Sequence, residues 1–284
     1  MVNRRQAGFS KHLCLLVFFL GSLAVALAQG PLYQEGLELA CEGDFAQARK
    51  VFSEAVNQNP TDFSSQGALQ VLDDISAKKI SSDYALTIFK SMRLLLTGSM
   101  EEALEWLQRA VGLNAAYPKA YNVMGVIYAS RQETEKALEY LKKAVEVDAG
   151  YAEGYYNLAS VYQSMGKAEE AAENFKRYVE LRPSAVDGRI NLALTYASRA
   201  KYDEAIKQCR EALRIDPRCA DAYFNMGLSY FMLDEYMKSR ENLIKAQELY
   251  SKQGNELGLE SVKTYLDKFT EVEEKAKTSL KKKE

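Results

Sequence analysis

Residues 155–183 read YYNLASVYQSMGKAEEAAENFKRYVELRP, and the pattern of this stretch returns every 34 residues. Large and small residues recur in a fixed order; they are Tyr121, Tyr155 and Tyr223, then Gly125, Ala159, Ala193 and Gly227, then Tyr128, Tyr162, Tyr196 and Tyr230, then Ala137, Ala171, Ala205 and Ser239, then Leu141, Phe175, Cys209 and Leu243, and then Pro183 and Pro217. A period of this size indicates blocks that bury their apolar faces only by stacking on their neighbours.

Each block is predicted to contain two antiparallel helices. Apolar residues from Tyr155 to Tyr162 recur at i, i+3, i+4 and i+7, and a second stripe runs from Ala171 to Tyr178. Pro183 then ends the second helix, because proline lacks a donor and clashes with the preceding turn. Elsewhere apolar residues also recur at three and four positions, which favours an all-α chain.

The same order of residues resembles the tetratricopeptide repeat. It is seen in YYNLASVY followed by AAENFKRYVELRP, and again in AYFNMGLSY. The resemblance extends over nearly all of the chain after residue 29. It implies a right-handed α-α superhelix, a solenoid in which the first helix of each pair lines a concave groove. In the family this inner surface is the usual binding surface.

The phase of the pattern predicts six repeats and three other segments. The repeats are 29–62, 84–117, 118–151, 152–185, 186–219 and 220–253. Between the first two, 63–83 has the periodicity of one helix, which is either an extra helix or half of a degenerate repeat. Residues 254–284 are predicted to form a capping helix with a charged tail, since a terminal repeat needs a cover for its apolar face.

Residues 1–28 have the order of a secretory signal peptide. Arg4, Arg5 and Lys11 form a basic start, 13–28 is uncharged and mostly apolar, and small residues precede a cleavage site after Ala28. We therefore expect an exported protein, periplasmic or extracellular. The apolar run is shorter than the ~20 residues of a membrane span. The alternative is an uncleaved anchor, and only that form would contact the membrane.

Composition excludes several kinds of chemistry. Without the three basic residues of the signal segment, the net charge goes from −2 to −5, and a basic stripe suited to nucleic acid is lacking. The single histidine, His12, is lost with that segment. We find no nucleophile–base pair, phosphate-binding glycine loop or metal-ligand cluster. The sequence therefore predicts no catalytic residue, no metal, no cofactor and no small-molecule substrate.

Three cysteines remain in the mature chain: Cys41, Cys209 and Cys219. None forms a C-x-x-C pair, and Cys209 occupies a core position of a second helix. We interpret all three as packing residues, with an intermolecular disulfide as the alternative.

Asn157, Asn191 and Asn225 occur at one phase of three successive first helices. Amide side chains both donate and accept, so a row of them can pair with the backbone of an extended peptide. The row is similar to the asparagine ladder in the repeat domain of O-linked N-acetylglucosamine transferase. The alternative is that asparagine is simply common at this phase.

Neighbouring phases supply the other candidate peptide-binding residues; they are Asn122, Tyr156, Phe224, Glu153, Asp187 and Asp221. The three acids would favour a basic ligand, or they only complement the dipole of a helix first turn. For aromatic residues on the same side, notably Phe231, the alternative is contact with the capping helix. The basic clamp with which some repeat proteins grip a terminal carboxylate is missing, since Asn122 and Val126 hold those positions.

The corresponding positions near the N-terminus are apolar: Ile88, Met92, Leu95 and Leu96. Such a patch needs a cover, which is either the helix predicted at 63–83 or a partner. The sequence thus predicts a non-enzymatic scaffold of the cell envelope that binds a peptide or protein segment in its groove. The alternative is a structural or assembly subunit, membrane-tethered where the signal anchor is uncleaved, that uses its convex or N-terminal apolar surface.

Overall fold

The computed structural model describes residues 30–59 and 62–281, and within these ranges the chain forms fourteen α-helices and no β-strand. In chain order they are α1 (Pro31–Glu42), α2 (Phe45–Gln58), α3 (Phe63–Ser76), α4 (Ser82–Leu96), α5 (Met100–Leu113), α6 (Lys119–Ser130), α7 (Thr134–Val147), α8 (Ala152–Ser164), α9 (Ala168–Leu181), α10 (Val186–Ser198), α11 (Tyr202–Ile215), α12 (Ala220–Met232), α13 (Tyr236–Gln253) and α14 (Glu256–Lys281). The all-α prediction is confirmed. The predicted signal peptide, 1–28, lies outside the described residues.

The helices belong to two compact units, and the boundary falls between Asn157 and Leu158, inside α8. In the first unit α1 packs on α2, α4 on α5 and α6 on α7. In the second unit α10 packs on α11 and α12 on α13. We call α1, α4, α6, α8, α10 and α12 first helices, and α2, α5, α7, α9, α11 and α13 second helices.

The small residues of the repeat allow paired helices to approach closely. A Cβ atom built on Gly125 of α6 would lie 2.5 Å from Cγ of Leu141 on α7. One built on Gly227 of α12 would lie 2.8 Å from Cγ of Leu243 on α13. Both leucines are fully buried. The recurring small and large phases are therefore the two sides of one contact, as the sequence predicts.

The turn inside each of the last five helix pairs also follows the period. Five residues spaced by 34 have a left-handed backbone: Gly98, Gln132, Gly166, Ala200 and Asp234, with φ between 57° and 79°. Two of them are glycine, which adopts this conformation without a steric penalty, and three are not. The turn geometry is thus kept where the residue best suited to it is absent.

A single helix, α3, occupies the segment where the repeat phase breaks. Asp62 begins it by accepting hydrogen bonds from the backbone nitrogens of Ser64 and Ser65, both 3.1 Å. The helix packs against α2 and α4 and contributes Val71 and Leu72 to the apolar core of the first unit.

The apolar positions of α4 are covered in the same core. Ile88 is fully buried, and Met92, Leu95 and Leu96 are partly buried against the cluster that contains the apolar residues of α3. The patch that the sequence predicts at these positions is therefore covered in full at Ile88 and in part at the other three residues.

The last helix, α14, covers the final repeat. It packs on α13, where Val262 is fully buried and Phe269 is 6% exposed. The ring of Phe231 on α12 meets the ring of Phe269 edge-on at 5.3 Å between centroids. The predicted capping helix is confirmed, and so is its contact with Phe231.

Candidate functional site

In the first unit, two candidate asparagines contact each other across neighbouring first helices. Nδ2 of Asn157 on α8 donates a hydrogen bond of 2.9 Å to Oδ1 of Asn122 on α6. Asn122 is buried and Asn157 is partly exposed. One bond uses part of the donor and acceptor capacity of two amides. The pair therefore holds the Asn157 side chain in a fixed orientation at the surface.

Glu153 and Tyr156, one turn or less from Asn157 on α8, are also partly exposed. Glu153, Tyr156 and Asn157 are thus three predicted contacts that share one helix and keep some access to solvent. They lie within five consecutive positions, 153–157, near the start of α8, where backbone N–H groups favour negative charge.

A polar cluster around Asp74 adjoins this region. The Asp74 carboxylate is 4% exposed; it accepts from Nζ of Lys79 at 3.0 Å, from Nε2 of Gln70 at 3.2 Å and from the Tyr117 hydroxyl. Burial, and then the bond to Asp74, raises the pKa of Tyr117. These contacts join α3 to the segment that precedes α6.

Lys119 begins α6, at the phase where later first helices carry Glu153, Asp187 and Asp221. Burial lowers the pKa of its ammonium, while Glu153 and Asp74 oppose that effect. Sequence reasoning missed Asp74, because the partners of Asp74 are up to 43 residues away in the chain.

In the second unit, Asn191 and Asn225 are buried, 3% and 8% exposed. This corrects the expectation that the row of asparagines lines an open surface. Asn191 lies on α10 and Asn225 on α12, and these two first helices contact each other directly.

Asp187 lies in the first turn of α10 and is partly buried. Its Oδ2 atom lies 3.5 Å from the hydroxyl oxygen of Tyr178. Burial raises the pKa of Asp187, although the backbone N–H groups of Gly188 and Asp187 oppose this. Asp221 opens α12 and is exposed; its Oδ1 accepts from the Tyr250 hydroxyl at 2.5 Å. Both acids therefore have internal partners besides any ligand.

Phe224 is partly buried against other aromatic residues of the second unit. Its ring lies 6.0 Å from the ring of Tyr265 on α14 and 6.4 Å from that of Tyr250 on α13. The contact with the capping helix that the sequence suggested for Phe231 thus extends to Phe224. Tyr265 is a residue that sequence reasoning missed, because nothing in its local pattern separates it from other apolar positions of α14.

Within residues 30–59 and 62–281, no group of three or more His, Cys, Asp or Glu side chains is placed to hold a metal ion. Cys41, Cys209 and Cys219 are free thiols, and burial raises the pKa of each of them. In the same ranges no helix has both the length and the apolarity needed to cross a membrane.

Comparison with protein families supports the repeat assignment. Family models described as tetratricopeptide repeat match residues 117–184 and 156–218. These matches cover α6 to α11 and part of the segment that follows, so tetratricopeptide repeats are present in the middle of the chain. No curated protein sequence is significantly similar to the chain.

Solved structures with the same kind of fold include YrrB, described as a tetratricopeptide protein with an unusual peptide-binding site. It is 24% identical, with a TM-score of 0.55, over 69% of this chain and 99% of YrrB. MamA from Desulfovibrio magneticus RS-1 is 21% identical, with a TM-score of 0.55, over 61% of this chain and 98% of that chain. Another MamA structure is 24% identical, with a TM-score of 0.54, over 58% and 96%. These likenesses show that the fold is that of tetratricopeptide-repeat proteins.

Proposed function

We propose that this protein is a non-enzymatic protein–protein interaction scaffold of the cell envelope that binds a peptide or protein segment along its first helices. The proposal rests on the arrangement of three side chains in the first two turns of α8. There Asn157 is fixed by Asn122 and remains partly exposed, beside the partly exposed Glu153 and Tyr156. An oriented amide next to an aromatic ring and an acid offers hydrogen bonds, apolar contact and charge to one short segment.

The fold supports the same proposal. Stacked helix pairs present residues of successive first helices at regular steps, and such surfaces bind extended partners. YrrB, which shares the fold, is described as having a peptide-binding site. Amide contacts read the backbone of a ligand more than its side chains, so we expect tolerance of ligand sequence and a preference for a basic residue near Glu153.

The test compares two asparagine variants. Asn157→Ala removes the amide of the proposed site, whereas Asn174→Ala removes a partly exposed amide from the second helix α9, where Nδ2 bonds to the backbone oxygen of Glu170 at 2.8 Å. Proteins that co-purify with the full chain from its native host are identified for the wild type and both variants. We expect one partner to be retained by the wild type and Asn174→Ala and lost from Asn157→Ala.

Both variants must remain folded at the temperature of the assay, which helical circular dichroism checks. If Asn157→Ala is folded there and keeps every partner, the proposed site is wrong. The simultaneous replacement of Asn157, Asn191 and Asn225 is a poorer test, because Asn191 and Asn225 are buried and their loss would destabilise the second unit.

Location in the envelope is a separate part of the proposal and rests on residues 1–28. Cleavage after Ala28 gives a mature chain that begins at Gln29. N-terminal sequencing of protein from the native host, together with cell fractionation, checks this. A chain that keeps residues 1–28 in the membrane fraction would instead favour the tethered assembly subunit.

A further inference from the structure

The capping helix α14 contacts residues of α12 that share the phase of proposed binding positions. Phe224 follows Tyr156 by 68 residues, two periods of the repeat. Phe231 lies two helical turns further along the same stripe of α12, with Leu228 between them, and all three pack against a cluster that includes Val262 and Phe269 of α14. In the last repeat, α14 therefore already covers the face of α12 that corresponds to the proposed ligand-binding face of α8.

The contact is made by two aromatic residues of α14, one helical turn apart. The Tyr265 ring lies edge-on to Phe224 and Phe231, at 6.0 Å and 6.3 Å between centroids. Phe269 meets Phe231 at 5.3 Å and an interplanar angle of 87°. Edge-to-face pairs at these distances are favourable beyond the area that they bury.

A second contact attaches α14 to α13 independently of these rings. Val262 is fully buried beside Leu249 and Tyr250. Gly258 brings the α14 backbone close to Tyr250, because a Cβ atom there would lie 2.7 Å from the ring. The apolar stripe of α14 thus reads 262, 265, 266 and 269, the spacing of an amphipathic helix.

We infer that the face of α12 and α13 is a docking surface for an amphipathic helix that carries two aromatic side chains one turn apart, and that α14 occupies it in the free protein. The inference rests on the proposed function and gives it a regulatory element. A partner helix of this chemistry reaches Phe224 and Phe231 only by displacing α14. An attached occupant competes at an effective concentration of about millimolar, so the intact chain resists displacement.

The experiment uses the full chain and a fluorescein-labelled synthetic peptide of residues 256–281. Replacement of both Tyr265 and Phe269 by Ala weakens the attached helix and leaves Phe224 and Phe231 in place. Fluorescence anisotropy should show that this variant binds the peptide at least about tenfold more tightly than the wild type does. Leu257→Ala, on the same helix but at a side chain 75% exposed, should bind it as the wild type does.

A double variant that keeps the helical circular dichroism of the wild type and binds the peptide no more tightly overturns the inference. If the double alanine variant loses helical signal, the pair Tyr265→Leu and Phe269→Leu keeps apolar volume and decides the question by the same measurement. The peptide assay reports on α12, whereas the Asn157→Ala comparison reports on α8. Failure of the inference is therefore distinguishable from failure of the proposed function.

Discussion

The side-chain amide of Asn157 donates a hydrogen bond of 2.9 Å to the side-chain oxygen of Asn122 across α8 and α6. The bond places the side chain of Asn157 in the contact between the first helices α6 and α8. The bond orients the amide of Asn157, which stays partly exposed, whereas Asn191 and Asn225 are buried.

The strength of this bond is measurable by a double-mutant cycle. Asn122→Ala and Asn157→Ala should each destabilise the chain by about 1 kcal/mol, because each leaves a partly desolvated amide without its partner. The double variant should cost less than the sum of the two, with a coupling of about 0.5–1.5 kcal/mol. Urea unfolding measures all four chains, and strictly additive losses would contradict the contact.

Because α6 and α7 approach each other closely, an added methyl group between them should lower the free energy of unfolding. Gly125→Ala should destabilise by about 1–3 kcal/mol, since the new Cβ meets Cγ of Leu141 at 2.5 Å. Gly112→Ala on α5 is the matched control, because nothing lies within 4 Å of its Cβ position. There the change should stabilise by about 0.5–1 kcal/mol through helix propensity. Thermal unfolding of both variants tests the opposite signs.

Two residues one period apart, Gly166 and Ala200, have the same left-handed backbone and can be exchanged in opposite directions. Ala200 has φ of 57° and Gly166 has φ of 72°, and both are exposed. Ala200→Gly should stabilise by about 0.5–1 kcal/mol because it relieves the steric cost of this conformation, and Gly166→Ala should destabilise by about the same amount. Equal signs for the two changes in chemical denaturation would show that the turn does not repeat.

The buried Asp74 predicts a larger loss than its exposed neighbour. Asp74→Ala removes the acceptor for Lys79, Gln70 and Tyr117 and should cost about 1.5–3 kcal/mol. Asp73→Ala breaks the ion pair with Arg49, 2.5 Å long but with the aspartate 58% exposed, and should cost less than about 1 kcal/mol. Hydrogen exchange should show α3 opening faster in the first variant only.

The desolvated carboxylate of Asp187 predicts a pH-dependent gain on neutralisation. Burial raises the pKa of Asp187 above its usual 3.8, so the folded chain holds this proton more tightly than the unfolded chain does. The charged form therefore opposes folding at neutral pH, and this cost is lost as the pH falls through the folded pKa. Asp187→Asn should raise the melting temperature at neutral pH, with a gain that shrinks in acid.

Asp203→Asn is the control for that experiment, because Asp203 is an exposed acid in the first turn of α11. There the acid complements the helix dipole, so its neutralisation should lower the melting temperature slightly at neutral pH. A gain at Asp187 that is constant with pH would contradict the desolvation argument.

Periodicity in the sequence determined the helix pairs, the close contact of Gly125 with Leu141 and the need for a cap after the last repeat. Within one repeat, the spacing of residues along each helix determines which side chains face each other. These features could therefore be predicted from the positions of large and small residues in the repeat. The same reasoning placed Phe231 against the cap, since a terminal face must be covered.

Tertiary structure decided which candidate residues keep access to solvent. Nothing local distinguishes Asn157 from Asn191 and Asn225, yet Asn157 keeps some access to solvent and the other two are buried. Nor does the sequence reveal that Asp74 meets Tyr117 or that Tyr265 meets Phe224, since the two residues of each pair lie far apart in the chain. The 34-residue period determines which helices pack together. The burial of individual side chains at the ends of those helices also depends on contacts between separate repeats. It depends as well on α3 and α14, two helices that do not follow the period.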